Sequence, residues 1–344
     1  MTDQAERLRE LVRQLKQGEQ QASSDARFQG RREGSPEGGH AAVARSGPEA
    51  AAKPEAGARQ ETRVVAITSG KGGVGKTNFI LNFALALQHF GRRVVIWDAD
   101  FGFANLHVLM GKTPQVTLLS LLQGEGDIWQ AISPGIGGLQ YISGGHGMKE
   151  MFRLTGAKLE RFMAQFMQLR GYADYLLIDL GAGLSPHSLN LLLAADEIIL
   201  IATPEPTSLT DAYAVLKMLS LEEKALRVHL LINRAKSERE GALAHKKMEA
   251  VAERFLSLSL HRFGILPDDP HVVKAVYQQT PYLIAYPNSP ISRRTVALAE
   301  RFIQFNPFAA DSGQPADAAR SRPSFWSRFR QLFHSAPSIP QGKR

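Results

Sequence analysis

The sequence predicts an α/β fold with a mostly parallel central sheet covered by helices on both faces. Three observations carry this: β-branched apolar runs recur from Arg63 onward, helical apolar patterns alternate with them, and Tyr175-Leu176-Leu177-Ile178-Asp179 is apolar until its last residue. A run of that last kind suits a strand buried on both faces, and the alternation suits parallel strands joined by helical crossovers. In chain order, strands are expected at 63–68, 93–98, 139–142, 175–179, 197–202, 228–232 and 262–266. The first is followed by the helical spacing Phe79, Ile80, Phe83, Ala84, Leu87, and further helices are expected at 158–169 and 291–305.

Composition removes several classes of function. The 344 residues include no cysteine, so disulfides, zinc held by thiolates and iron–sulfur clusters are all excluded. No apolar run reaches membrane-spanning length, and the start Met1-Thr2-Asp3-Gln4 has no signal-peptide core, so a cytoplasmic location is expected. The net charge of +8 is unevenly spread: residues 1–60 and 61–311 carry about +1 and +2, and about +5 lies from Ser312 onward. A protein that coats DNA would carry its charge on the body, where it could neutralise many phosphates.

The ends differ from the centre. Residues 1–17 have helix formers with a narrow apolar stripe at Ala5, Leu8, Leu11, Val12 and Leu15, too small for a core and suited to a partner. Residues 18–61 are rich in Gly, Ala, Ser and Pro and read as a disordered linker before a domain at 62–310. A second linker, 311–321, leads to a helix at 322–335 and a flexible end at 336–344. In that helix Phe325, Trp326, Phe329, Leu332 and Phe333 share one face, with Arg322, Arg328 and Arg330 beside or opposite it. Such a short helix folds only against an apolar surface. An anionic membrane boundary is the surface assigned here, with the protein's own core or a partner protein as the alternatives.

The most specific stretch is Ser69-Gly70-Lys71-Gly72-Gly73-Val74-Gly75-Lys76-Thr77-Asn78, at a strand-to-helix turn. Its glycines let successive N–H groups converge on phosphate oxygens at a helix N-terminus, as in the P-loop of nucleoside triphosphatases. Lys76 then meets the β- and γ-phosphates, and the Thr77 hydroxyl is offered to Mg²⁺. Ligands of parallel sheets bind at the carboxyl ends of the strands, so Asp98, Asp100 and Asp179 converge on this loop. Asp98 and Asp179 are the metal-site carboxylates, and Asp179 ends its strand as a Walker B acid does.

The heptapeptide KGGVGKT resembles the deviant Walker motif of the MinD/ParA class of dimerising ATPases, with Asn78 on the MinD side. The resemblance implies that Lys71 reaches the nucleotide of a second subunit, that Asp100 positions the attacking water, and that Asn105 steadies the switch. It further implies an adenine-binding edge at Asn233-Arg234 and Pro267-Asp268. The initial Asp3-Gln4-Ala5-x-x-Leu8-Arg9, the core and the basic aromatic tail together resemble the FlhG (FleN/YlxH) family of MinD-like ATPases. For such a protein the resemblance implies ATP and Mg²⁺ as ligands and a homodimer when ATP is bound. It implies stimulation of an FlhF-type GTPase through Asp3, Gln4, Ala5, Leu8 and Arg9, and engagement of flagellar switch or C-ring proteins. Control of flagellar placement and number would follow, from the inner face of the cytoplasmic membrane, reversibly occupied, with a polar location left open. A MinD-type division-site regulator, a ParA-type DNA-partitioning ATPase and a small-molecule kinase or ligase of the same fold are the alternatives.

Overall fold

The strands are β1 (Arg63–Ser69), β2 (Val94–Ala99), β3 (Ile132–Pro134), β4 (Gln140–Ser143), β5 (Tyr175–Ala182), β6 (Glu197–Ala202), β7 (Val228–Ala235) and β8 (Leu260–Pro267). They form one sheet in the order β3-β4-β2-β5-β1-β6-β7-β8, parallel throughout except where β3 runs antiparallel to β4. This is the α/β architecture expected. It comes from a computed structural model that describes residues 61–100, 106–110, 114, 116–144, 150–222, 226–304 and 323–334. The expectations for 1–17, for 18–61 apart from Glu61, for 311–321 and for 336–344 lie outside the described residues, as do Asp3, Gln4, Ala5, Leu8, Arg9, Asn105 and Arg322.

The helices are α1 (Lys76–His89), α2 (Leu106–Leu109), α3 (Leu118–Gln123), α4 (Ile128–Ala131), α5 (Gly156–Phe166), α6 (Pro186–Ala194), α7 (Pro206–Glu222), α8 (Glu238–Leu256), α9 (Pro270–Tyr277), α10 (Tyr282–Ala285), α11 (Pro290–Gln304) and α12 (Phe325–His334). Several starts are written locally. Ser185 caps α6 through the N–H of Ser188, with Pro186 in the first turn, and Asp127 caps α4 in a reciprocal box with Gln130.

Because strand side chains alternate, the sheet feeds two apolar layers. Val65 and Ile67 face one, filled by Phe79 and Phe83 of α1 with Phe302 of α11. Phe79 and Phe83 stack at 5.1 Å, and Phe263 of β8 meets them edge-on at 6.0 and 5.6 Å. Val64, Ala66 and Trp97 face the other layer, filled from α5 to α8 and from α12. Beneath the strand starts, the buried Glu197 accepts from Arg63 Nε at 2.5 Å and pairs with His229 Nε2 at 2.9 Å, tying β1, β6 and β7 together. Burial alone would raise the Glu197 carboxyl, but bonds from His229 and Arg63 outweigh it and hold it at about 2.

The tail helix is present, with its apolar face where the spacing puts it. That face is turned inward. Phe325, Trp326 and Phe329 are at most 1% exposed, and the Phe329 ring lies 4.9 Å from Phe166 and 6.0 Å from Trp97. Arg328, expected beside a lipid surface, instead pairs with Asp196 at 3.0 Å and donates to the carbonyls of Ala194 and Ala195 at 2.9 Å. Three buried aromatic rings of about 150–250 Å² each, at about 25 cal/mol per Å², stabilise the docked tail by roughly 10–20 kcal/mol gross. Ordering ten residues at about 1–2 kcal/mol each costs nearly as much.

Candidate nucleotide site

The registers bring the expected residues together. Asp98 of β2 lies opposite Asp179 of β5, and β5 runs beside β1, which ends at Ser69 where the phosphate loop begins. Two glycines of the loop have no substitute. A Cβ on Gly70 would clash with the backbone of Asp211 in α7, and Gly75 has φ 91° with a Cβ position 2.5 Å from Asn233 Nδ2.

Lys76 is buried and its Nζ forms an ion pair with Asp179 Oδ1, and the Thr77 hydroxyl nearby also favours the charged Asp179 carboxylate. Burial raises the Asp179 carboxyl and outweighs the lowering effect of Lys76. Burial and then the Asp179 charge push Asp98 up to about 7, against weaker opposing bonds from the N–H groups of Leu106 and Asp100. The side chain of Asp100 lies against the Gly181 backbone, where a Cβ would come within 2.8 Å of its Oδ1.

Asn233 Nδ2 donates to the Val74 carbonyl at 2.7 Å, so the expected adenine edge touches the phosphate loop. Arg234 adopts φ 58° and its Nε lies 3.6 Å from Asp268 Oδ1, while Pro267 pairs in register with Ala235. The Asp268 N–H donates to the Ala235 carbonyl at 3.0 Å, which joins the two edge segments. Asn78 lies in the first turn of α1, its carbonyl accepting from Asn82 Nδ2 at 2.8 Å.

Lys71 is turned outward from the loop. It is 44% exposed, with Nζ 3.2 Å from Thr207 Oγ1 and 3.6 Å from Glu205 Oε2 at the start of α7. Sequence reasoning gave neither Glu205 nor Thr207 a role. The run Pro204-Glu205-Pro206-Thr207 reads as an ordinary loop, and only the pairing of β6 with β1 brings it to the lysine.

The residues present fit a magnesium nucleotide. The buried Asn233 Oδ1 has no hydrogen-bond partner among the described residues and can accept from a base amino group. Lys76 is neutralised by a carboxylate that a phosphate can replace, and Asp98, raised to about 7 by burial and then by the charge of Asp179, is one of two neighbouring carboxylates that a divalent cation would stabilise in the charged form.

Among the described residues no helix is long and apolar enough to cross a membrane. The ParA family described as "NUBPL iron-transfer P-loop NTPase" matches residues 60–303. The antiactivator FleN of Pseudomonas aeruginosa is 37% identical over 245 residues, covering 71% of this chain and 88% of that protein. The flagellum site-determining protein YlxH of Helicobacter pylori is 35% identical, covering 60% of this chain and 69% of that one. In structure, the septum site-determining protein MinD of Pyrococcus horikoshii, complexed with Mg-ADP, matches with a TM-score of 0.55 at 26% identity, over 70% of this chain and 96% of its own. Matched by family over the sheet and its phosphate loop and by sequence to two flagellar proteins, the chain belongs to the MinD/ParA family of P-loop NTPases, in its FlhG (FleN/YlxH) type.

Proposed function

We propose that the chain is a Mg²⁺-dependent ATPase that pairs as a homodimer when ATP-bound, and that hydrolysis ends the pairing. The observation that carries this is Lys71: it sits on the phosphate loop, yet it is held outward on Glu205 and Thr207, while Lys76, buried and paired with Asp179, is the lysine placed to meet the loop's own phosphates. A second copy facing the loop gives Lys71 a phosphate to meet. In this reading Gly70, Gly72, Gly73, Val74 and Gly75 shape the cradle, Lys76 exchanges Asp179 for phosphate, and Asn233, Arg234, Pro267 and Asp268 line the base. Thr77, Asp98 and Asp179 would hold the magnesium ion, which would supply neutralisation of the phosphate charge. Asp100 orients a water for attack on the γ-phosphorus, and the bond to the bridging oxygen breaks as charge moves onto it, where Lys76 and the loop N–H groups stabilise it.

The regulatory part of the proposal follows the two ends. Residues 1–17 stimulate an FlhF-type GTPase, with Gln4 placing a water or a catalytic side chain. The body engages flagellar switch or C-ring proteins, and α12 attaches the dimer reversibly to anionic lipid, so that flagellar placement and number are set. The nearly neutral body argues against DNA as the partner.

The experiment is ATP turnover by the purified chain alongside sedimentation with phosphatidylglycerol vesicles. Turnover lost in Lys71→Ala and Asp100→Ala, and vesicle binding that needs ATP and is abolished by deleting 321–344, are the expected results. A full-rate monomeric Lys71→Ala enzyme would overturn the dimer reading. A 1–20 peptide that stimulates the GTPase equally with Gln4→Ala would overturn the role of Gln4.

A further inference from the structure

Tyr141 of β4 is 1% exposed and lies in the apolar layer that α1 fills, in one cluster with Ile96, Leu106 and Met110. Its hydroxyl is buried and has no hydrogen-bond partner among the described residues. Such a group lowers stability where a phenylalanine ring would not, because it leaves water without gaining a partner. Tyr282 of α10, a buried tyrosine in the same layer, has no such deficit: its Oη lies 2.9 Å from Thr295 Oγ1. Packing alone therefore gives no reason for an oxygen on the ring at position 141.

The register of β4 on β2 supplies one. Tyr141 pairs with Ile96 and Ser143 with Asp98, so Tyr141 and Asp98 are diagonal neighbours on adjacent strands and share a face of the sheet. Burial and then the charge of Asp98 push the Tyr141 hydroxyl up to about 12, so it keeps its proton and the two groups interact. Asp98 is poorly satisfied as an anion. Its bonds from the N–H groups of Asp100 and Leu106 are long, at 3.4 and 3.3 Å, and a second carboxylate, Asp179, stands opposite it on β5. A buried carboxylate is held in its charged form by two or three good donors. The Tyr141 hydroxyl is a donor without an acceptor, carried on the strand that flanks β2 on the side away from Asp179.

We propose that Tyr141 is a positioning residue of the metal site: its hydroxyl donates, directly or through one water, to the charged Asp98 carboxylate and steadies it for the magnesium ion. Outer donors of this kind orient a ligating carboxylate and keep it charged. The inference rests on the nucleotide reading above, in which Asp98 is one of the residues that would hold the ion, and it gives Tyr141 no contact with ion or phosphate. In the nucleotide-free chain the hydroxyl only lowers stability. With Asp98 charged, it has its partner.

Tyr141→Phe removes the oxygen and keeps the ring. The test is titration calorimetry of ADP on the full chain, in excess EDTA and over a series of Mg²⁺ concentrations, beside thermal unfolding of the nucleotide-free chain. ADP affinity in EDTA should stay within about twofold of native, while the Mg²⁺ concentration that half-restores tight binding should rise about tenfold, as for loss of a hydrogen bond to a charged group. The unfolding temperature of Tyr141→Phe should equal or exceed the native one. A merely structural tyrosine would do the reverse, losing stability with the Mg²⁺ requirement untouched. In Asp98→Asn no charge remains to be steadied, so adding Tyr141→Phe should change the Mg²⁺ requirement by less than about twofold. An unchanged Mg²⁺ requirement in Tyr141→Phe, or a tenfold rise that persists in the Asp98→Asn background, would overturn the inference and leave nucleotide binding standing. Native ADP binding that does not respond to Mg²⁺ at all would overturn the metal reading and this inference with it.

Discussion

Asn233 and Val74 are joined by a 2.7 Å hydrogen bond from the end of β7 to the phosphate loop, and Asn233 Oδ1 has no hydrogen-bond partner among the described residues. One side chain thus holds the loop and offers an acceptor beside it. Asn233→Ala should weaken ADP binding about tenfold, as expected for losing a hydrogen bond of about 1–1.5 kcal/mol. Titration calorimetry reads this directly, and unchanged affinity would remove Asn233 from the base-binding edge.

The Lys76–Asp179 pair is almost wholly buried, so breaking it leaves an uncompensated charge. Asp179→Ala should destabilise the nucleotide-free chain by about 3–5 kcal/mol. ADP supplies a new partner for Lys76, so part of the deficit should return when urea unfolding is repeated with ADP. A deficit equal with and without ADP would show that Lys76 does not exchange partners.

Asp98 gives the site a pH dependence of definite sign. Its folded value of about 7 stands above the ordinary 3.8, so folding takes up a proton between these values. The stability it contributes is complete below about pH 4 and is lost as pH rises through about 7, at a slope of about 1.4 kcal/mol per pH unit. Asp98→Asn should flatten that slope in thermal unfolding of the nucleotide-free chain. An equal slope in native chain and variant would place the titrating group elsewhere.

Much of this site was legible because strands with apolar interiors announce where they end. Asp98 and Asp179 close two such runs, and a parallel sheet carries both to the loop that follows β1. The three residues of β3 escaped because they are too few to show a period and pair only at the sheet edge. Glu205 and Thr207 escaped because their nearness to Lys71 depends on β6 lying beside β1, a relation between strands distant in sequence. For α12 the spacing gave the apolar face but no means of choosing what covers it. Trp97 and Phe166 cover it here, and Asp196 pairs with Arg328.

The contact of Lys71 with Glu205 and Thr207 bears on how readily a second copy is engaged. Glu205 is 59% exposed and Lys71 44%, so the pair contributes at most about 1 kcal/mol and releases the lysine easily. Glu205→Ala should leave thermal stability nearly unchanged and favour dimers at limiting ATP by up to about fivefold, because the lysine no longer exchanges a carboxylate for phosphate. Lys71→Ala should bind ATP within about twofold of the native chain, since Lys76 and the backbone cradle are intact, yet sediment as a monomer. Analytical ultracentrifugation with a hydrolysis-impaired Asp100→Ala background separates dimer formation from turnover. If Lys71→Ala in that background dimerises as fully as Asp100→Ala alone, the outward lysine serves its own subunit and the pairing must be driven by other residues.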